Sequence, residues 1–150
     1  MLIIRPFSFS DLDSILQIES QSFPKSPYDW TTFLNLHCLY PETFLVYVNT
    51  NHDQKEEEIL GYIIFTQDGH IISIAVHPQN RRKGIGTQLL QKAMNTPHLK
   101  KVWAEVRRSN QGAQSFYSKM GFQITGMVPN YYGNEDALII QWIPSIRESY

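Results

Sequence analysis

Apolar residues along the chain recur with two different periods, and the changes between them mark out the elements. Alternating or continuous apolar runs bounded by turn residues predict strands at 2–6, 43–49, 59–66, 70–76, 102–106, 122–128 and 137–143. Between them the spacing turns helical. Leu12, Ile15, Leu16 and Glu19 follow Ser10 and Asp13, a capping-box variant, and predict a first helix there. A second short helix is predicted over 29–39, ending before Pro41. A third begins near Gly84 and presents Ile85, Leu89, Leu90 and Ala93 on one face; a fourth runs from about Gln111 to Met120 and stops at Gly121. The stretch NTNHDQKEEE (49–58) reads as a polar hairpin loop with a solvated, charged tip, and TQDGH (66–70) as a tighter hairpin. This order predicts an α/β sandwich: a mixed, largely antiparallel seven-stranded sheet flanked by about four helices.

At 150 residues and 42% hydrophobic content, the chain suffices for one compact core and is short for two, so a single domain over 1–150 is expected. Cys38 is the sole cysteine, which excludes an internal disulfide and leaves no Cys/His zinc spacing; no metal is expected, and a reducing compartment fits. No apolar window approaches a signal h-region or a membrane span, so a cytoplasmic protein without a membrane partner is expected.

The net charge of −1 conceals an asymmetry. Residues 1–70 carry ten acids against three bases, and residues 71–150 ten bases against four acids. Eight Lys/Arg lie between Arg81 and Arg108, with Glu105 the only acid among them. Such a local excess favours an anionic partner. Nucleic acid fits poorly, because the aromatics are not interleaved with the cations and the acidic first half would repel an extended phosphate backbone. A small polyanion fits better.

The stretch SIAVHPQNRRKGIGTQLL (73–90) says where that anion would sit. A strand leads through Arg81, Arg82, Lys83, Gly84 and Gly86 into a helix. First-turn N–H groups have no helical acceptor and the dipole's positive end points outward, so this is an anion site. The two glycines let a diphosphate approach the backbone closely. A merely solvated helix start explains the pattern less well, since cations there oppose the dipole. The loop lacks the third glycine of the dinucleotide fingerprint and the Gly-Lys-Ser/Thr ending of a P-loop.

VHPQNRRKGIGTQLL (76–90) resembles the acetyl-CoA-binding segment of the GNAT superfamily of N-acetyltransferases, whose Arg/Gln-x-x-Gly-x-Gly/Ala signature is met by Arg81, Gly84 and Gly86. EVRRSNQGAQSFYSKMGF (105–122) resembles the following family segment, with Asn110, Ala113, Tyr117, Gly121 and Phe122 at the expected spacing. NYYGNEDALII (130–140) is similar to what peptide N-terminal acetyltransferases carry, both RimI-like ribosomal-protein enzymes and archaeal and eukaryotic catalytic subunits. The resemblance covers essentially the whole chain and implies the GNAT fold, acetyl-CoA as cofactor, and transfer to a protein N-terminal α-amine in a ternary complex. It implies cofactor contacts at Ile74, Ala75, Val76, Arg81, Arg82, Lys83, Gly84, Ile85, Gly86, Thr87, Asn110 and Tyr117, with a backbone N–H of 74–76 facing the oxyanion where that strand splays.

The acceptor sets the chemistry required. A peptide α-amine, with pKa near 7.7–8.0, is roughly a quarter neutral near neutral pH, against about a thousandth for a lysine amine. An α-amine asks only for a modest base. Glu105 is the first candidate: in VWAEVRR it shares a strand face with Trp103 and Arg107, and RimI-like enzymes use the glutamate of this motif. By periodicity alone it reads as a surface carboxylate paired with Arg107. His70, at the start of the strand before the cofactor loop, is the second candidate, since archaeal relatives use a matching histidine as a relay; otherwise it is a solvated hairpin-end residue. Tyr117 is the candidate acid toward the departing thiolate, against a reading as a core aromatic, with Phe116 beside it the other candidate for the buried ring of the pair. Asn110 reads as a cofactor ligand, as a helix cap, or as both.

Substrate contacts implied by the resemblance are Phe23, Pro24 and Tyr28 in the loop SFPKSPYDW (22–30), with Tyr131 and Tyr132 opposite. Each also reads as ordinary loop packing. Several relatives carry a glutamate after the loop proline where this chain has Lys25, which removes any preference depending on it. The rival readings are a GNAT enzyme acting on a small amine or lysine, and a CoA-binding module without turnover. A partner subunit is left open.

Overall fold

The computed structural model describes residues 1–51 and 56–144. Its elements run β1 (Leu2–Pro6), α1 (Leu12–Ser22), α2 (Trp30–Leu39), β2 (Phe44–Asn51), β3 (Glu56–Phe65), β4 (Ile71–Val76), α3 (Ile85–Met94), β5 (Val102–Arg107), α4 (Gln111–Lys119), β6 (Gln123–Val128) and β7 (Ala137–Trp142), with 3₁₀ turns at Phe9–Asp11 and Pro78–Asn80. The seven strands form two antiparallel sheets, ordered β1-β2-β3-β4 and β5-β7-β6, where a single sheet was expected. The chain divides into two compact units. One comprises residues 1–67 and 71–93, the other residues 68–70 and the chain from Met94 on.

In the first unit β3 is the central strand. Leu60 to Phe65 are all buried, as a continuous apolar run in the middle of a covered sheet requires. Its core joins Phe7, Ile15, Ile18, Phe33, Phe44, Val46, Val48, Tyr62 and Ile64. The apolar face of α3 is buried as its spacing predicts, and Gly61 is where it comes close: a Cβ there would lie 2.8 Å from the Ala75 carbonyl and 3.3 Å from Leu89. β4 is the last strand of its sheet, so one of its backbone edges has no partner strand in that ladder.

The start of the first helix differs from the expectation. The capping box is Ser8 with Asp11, around the 3₁₀ turn, and not Ser10 with Asp13. Asp11 is only 4% exposed, and its carboxylate accepts both forks of Arg5 at 2.8 Å and the Ser8 N–H at 2.9 Å. Arg5 also donates to Glu57. The charged segment 49–58 is therefore more than a solvated tip: Asn49, Thr50 and Asn51 pair with Glu58, Glu57 and Glu56 as strand, while residues 52–55 lie outside the described residues. No described helix is long and apolar enough to cross a membrane.

In the second unit β5 alternates as predicted, with Val102, Ala104 and Val106 buried and Trp103, Glu105 and Arg107 on the more open face. α4 ends on Gly121 at φ +93°, the left-handed conformation a helix stop uses. Gly69 matters most for the site. Its φ is +97°, and a Cβ there would stand 2.0 Å from the Lys101 carbonyl, so no other residue fits.

Two stability predictions follow from these contacts. Gly69→Ala must both move backbone and adopt a disfavoured φ, and should cost about 2–4 kcal/mol in denaturant unfolding. Burial alone would push the Asp11 carboxyl up, but the Arg5 hydrogen bonds and the Ser8 N–H overcome this and hold it below its ordinary value. A lowered folded pKa adds stability above the unfolded value and loses it as pH falls through the folded one. The Tm should hold steady down to about pH 4 and fall below it, and Asp11→Asn should lower neutral-pH stability and flatten that acid limb.

Candidate active site

The second unit brings two of the predicted proton-transfer residues into contact. Trp103 N–H donates to the Gly69 carbonyl at 3.0 Å, an isolated parallel bridge that lays His70 alongside β5. The imidazole stacks flat on the Trp103 indole, with centroids 3.9 Å apart and planes within 9°. In that orientation His70 Nε2 lies 2.8 Å from Glu105 Oε2. Both side chains are half-buried. His70 is thus a stacked, paired residue and not a solvated hairpin end.

Glu105 does not pair with Arg107. Arg107 turns instead to Glu135 at 3.0 Å and Asn134 at 3.3 Å, and its guanidinium lies 4.1 Å from the centre of the Tyr132 ring. Glu135 also accepts the Ser109 N–H, while Asp136 accepts Arg108 and the Asn130 N–H. Two adjacent acids therefore cinch the 130–136 loop to the end of β5. Tyr131 and Tyr132 on that loop meet edge to face at 4.9 Å. Burial, and then the neighbouring Tyr131, push the Tyr132 phenol up to about 12, with Arg107 pulling the other way and Glu105 adding to the rise.

Tyr117 is the buried member of its pair, 5% exposed, as its reading as a core aromatic has it, and Phe116 is only half-buried. Tyr117 lies edge-on to Phe116 and to Phe122, both at 5.2 Å. Burial, then the phenol of Tyr132 and the carboxylate of Glu105, raise its pKa well above the ordinary value. It holds its proton as a hydrogen-bond donor. Asn110 caps α4, its Oδ1 accepting the Ala113 N–H at 3.0 Å.

In the first unit, Gln88 N–H donates to the Gly84 carbonyl and is the first intrahelical donor of α3, so the N–H groups of Ile85, Gly86 and Thr87 before it have no helical acceptor. Arg82 (φ +65°) and Gly84 (φ +80°) both take left-handed conformations, and a Cβ on Gly84 would meet nothing within 4 Å. Open space at Gly84, ahead of amides with no helical acceptor and with Arg82 and Lys83 exposed beside it, suits a diphosphate. Arg81 plays a different part from its neighbours: Nε donates to the Val76 carbonyl and Nη2 to Ser22 Oγ, both at 3.4 Å, so it braces the loop against β4 and α1. Ile74 and Val76 alternate with buried Ala75 on β4. Phe23, Pro24 and Tyr28 are exposed on the α1–α2 loop, with the Tyr28 ring edge-on to Phe33.

Sequence reasoning missed the Trp103 platform, the Arg107–Glu135 clasp and a buried carboxylate, Glu19. The signals were present. Trp103 shares the Glu105 face, and the acids of NYYGNED match the arginines of EVRR in number and sign.

The model of the acetyltransferase (GNAT) family matches residues 12–122. The chain is 37% identical to an uncharacterized N-acetyltransferase of Methanocaldococcus jannaschii, over 93% of this chain and 90% of that one. It is 31% identical to an N-alpha-acetyltransferase of Sulfurisphaera tokodaii, over 91% and 90% of the two chains. Among solved structures it is similar to the ribosomal-protein-S18-alanine N-acetyltransferase of Escherichia coli, with a TM-score of 0.76, 26% identity, and 99% and 97% of the two chains covered. These likenesses make the chain a member of the GNAT acetyltransferase family, whose acyl donor is acetyl-CoA.

Proposed function

We propose that the chain acetylates the α-amine of protein N-termini, ribosomal proteins among the candidate substrates, and that it works as one GNAT domain. The single observation that carries the reading is the 2.8 Å contact between His70 Nε2 and Glu105 Oε2 in the same unit as a buried, protonated Tyr117. The names of the Sulfurisphaera and Escherichia relatives support the α-amine as acceptor, and the family match runs through residues of both compact units. The reading places the enzyme with its substrates in the cytoplasm.

Acetyl-CoA supplies an activated acyl thioester. The turn 81–87 holds its diphosphate through the amides of Ile85, Gly86 and Thr87, with Arg82 and Lys83 adding charge and Arg81 keeping the turn in shape. Asn110, already a helix cap, and the edge of β4 at Ile74, Ala75 and Val76 complete the cofactor contacts. The incoming ammonium must lose one proton to become a nucleophile, and the Glu105–His70 pair accepts it, with the imidazole passing it outward to solvent. As the C–N bond forms and the C–S bond breaks, Tyr117 would donate its proton to the leaving thiolate, and the second proton of the attacking amine would restore the phenol. Phe23, Pro24 and Tyr28 line the pocket for the first peptide side chain, and Tyr131 and Tyr132, held by Arg107, contact the peptide backbone.

Purified protein given acetyl-CoA and peptides varying in their first two residues should acetylate the free N-termini. Matched peptides with a blocked N-terminus and an internal lysine should remain unmodified. Product confined to the blocked set would overturn the assignment. Glu105→Gln and Tyr117→Phe should each lower kcat by about 10²-fold or more, while calorimetry shows acetyl-CoA still binding. Gly84→Val should do the opposite, weakening cofactor binding before it affects turnover at saturation.

A further inference from the structure

α1 carries a glutamate where its helical pattern calls for an apolar residue. Glu19 is 2% exposed, on the face that buries Ile15 and Ile18. Its Oε2 accepts the hydroxyl of Tyr62, itself fully buried and 3.0 Å from Ser73 Oγ. Its Oε1 accepts the backbone N–H of Tyr28 at 3.1 Å. Its main-chain carbonyl accepts the N–H of Phe23 at 2.8 Å. That last bond is the main-chain closing bond of α1, whereas the side chain ties the far end of the loop 23–28 to Tyr62 on β3. The rings follow the same path, Tyr28 edge-on to Phe33 and Phe33 edge-on to Tyr62, each at 5.8 Å.

A buried carboxyl is a poor way to stabilise a core, since well-packed apolar groups of similar volume do as well or better. Burial pushes this carboxyl up, only partly offset by the Tyr62 hydroxyl and the Tyr28 N–H. Its retention is explained by what it holds. We infer that Glu19 is a positioning residue that sets the geometry of the 23–28 loop, and through Phe23, Pro24 and Tyr28 the selectivity for the first residue of the acceptor peptide. This rests on the N-terminal acetylation reading. Reach matters here and charge does not: the acceptor must extend from α1 to the Tyr28 N–H. An amide of equal length serves, its oxygen accepting Tyr28 N–H and its NH₂ donating to the Tyr62 oxygen, whose own proton turns to Ser73. A carboxylate one methylene shorter does not.

The test compares Glu19→Gln, Glu19→Asp and Glu19→Met with wild type, in peptide kinetics, acetyl-CoA calorimetry and hydrogen exchange of residues 23–28. The Asp and Met variants should raise peptide KM by about tenfold or more and level the preference among first residues, with kcat and acetyl-CoA affinity within about threefold. Exchange in the loop should accelerate. Glu19→Gln should stay close to wild type in every readout, the reverse of the order expected of a proton acceptor. Folded Asp and Met variants with wild-type peptide KM and exchange would overturn the inference, as would a Gln variant as impaired as the Met one. If Glu19→Met fails to fold, Glu19→Asp still decides. Wild-type protein inactive on every free-amine peptide would sink the acetylation reading instead, and the exchange comparison would then decide whether Glu19 holds the loop.

Discussion

The candidate site depends on one close approach of two backbones, at Gly69 and Lys101. Only a residue without a β-carbon can run that near the carbonyl of its neighbour, and the left-handed turn at Gly69 carries the next residue into line with β5. The Trp103 N–H secures the Gly69 carbonyl, and His70 then lies flat on the Trp103 indole. The stack removes the ring's freedom to rotate, leaving Nε2 aimed at Glu105. Because β5 alternates, Trp103 and Glu105 sit about 7 Å apart on one face, so platform and acceptor reach the imidazole together. A larger residue at 69 would shift the imidazole before it touched any reacting group.

The same unit separates two kinds of proton chemistry by environment. Glu105 and His70 are half-buried and joined to each other, which suits taking up a proton and passing it on. Tyr117 is enclosed by Phe116 and Phe122 and faces a carboxylate and a second phenol, all of which oppose its ionisation. On the proposed mechanism the Glu105–His70 pair accepts a proton and Tyr117 donates one. Arg107 contributes indirectly. By engaging Glu135 and the Tyr132 ring it leaves Glu105 to His70, and by fixing the 130–136 loop it keeps the two tyrosines in register.

Much of this was legible in the sequence, and what was not had physical causes. Strands announced themselves wherever burial on one face enforced alternation, as in β4 and β5, and helix ends where Asn110 and Gly121 supplied the local chemistry. The division of seven strands into two sheets was not legible, because hydrophobic period reports which residues are buried and not which strands exchange hydrogen bonds. The capping box slipped by two residues for a related reason: Ser8, Ser10, Asp11 and Asp13 all offer capping groups, and Asp11 is the one that Arg5 reaches from the end of β1, a contact between elements that capping patterns do not report. Glu105 looked like a surface ion-pair partner because sequence spacing shows neighbours along a strand, whereas its partner arrives from thirty-five residues earlier. Tyr117 and Phe116 could not be ranked for burial by composition, since adjacent aromatics on a helix lie about 100° apart and either can face inward.

The cationic turn raises a question of sign. Three successive bases before a helix N-terminus face its positive end, an arrangement that costs some tenths of a kcal/mol per charge in an unliganded protein. Arg82 adds a strained backbone to the electrostatic cost, since a non-glycine residue at positive φ is unfavourable by of order 1 kcal/mol. Arg81 offsets part of this by donating to the Val76 carbonyl and to Ser22, so its charge serves the turn's own architecture. Arg82 and Lys83 remain exposed beside it. A turn that is unfavourable by itself and open at Gly84 would be stabilised by an anion that cancels its charge. On the proposed reading of this turn, the diphosphate of acetyl-CoA would balance the charge the sequence concentrates there, which would account for the cations and the glycines occurring together.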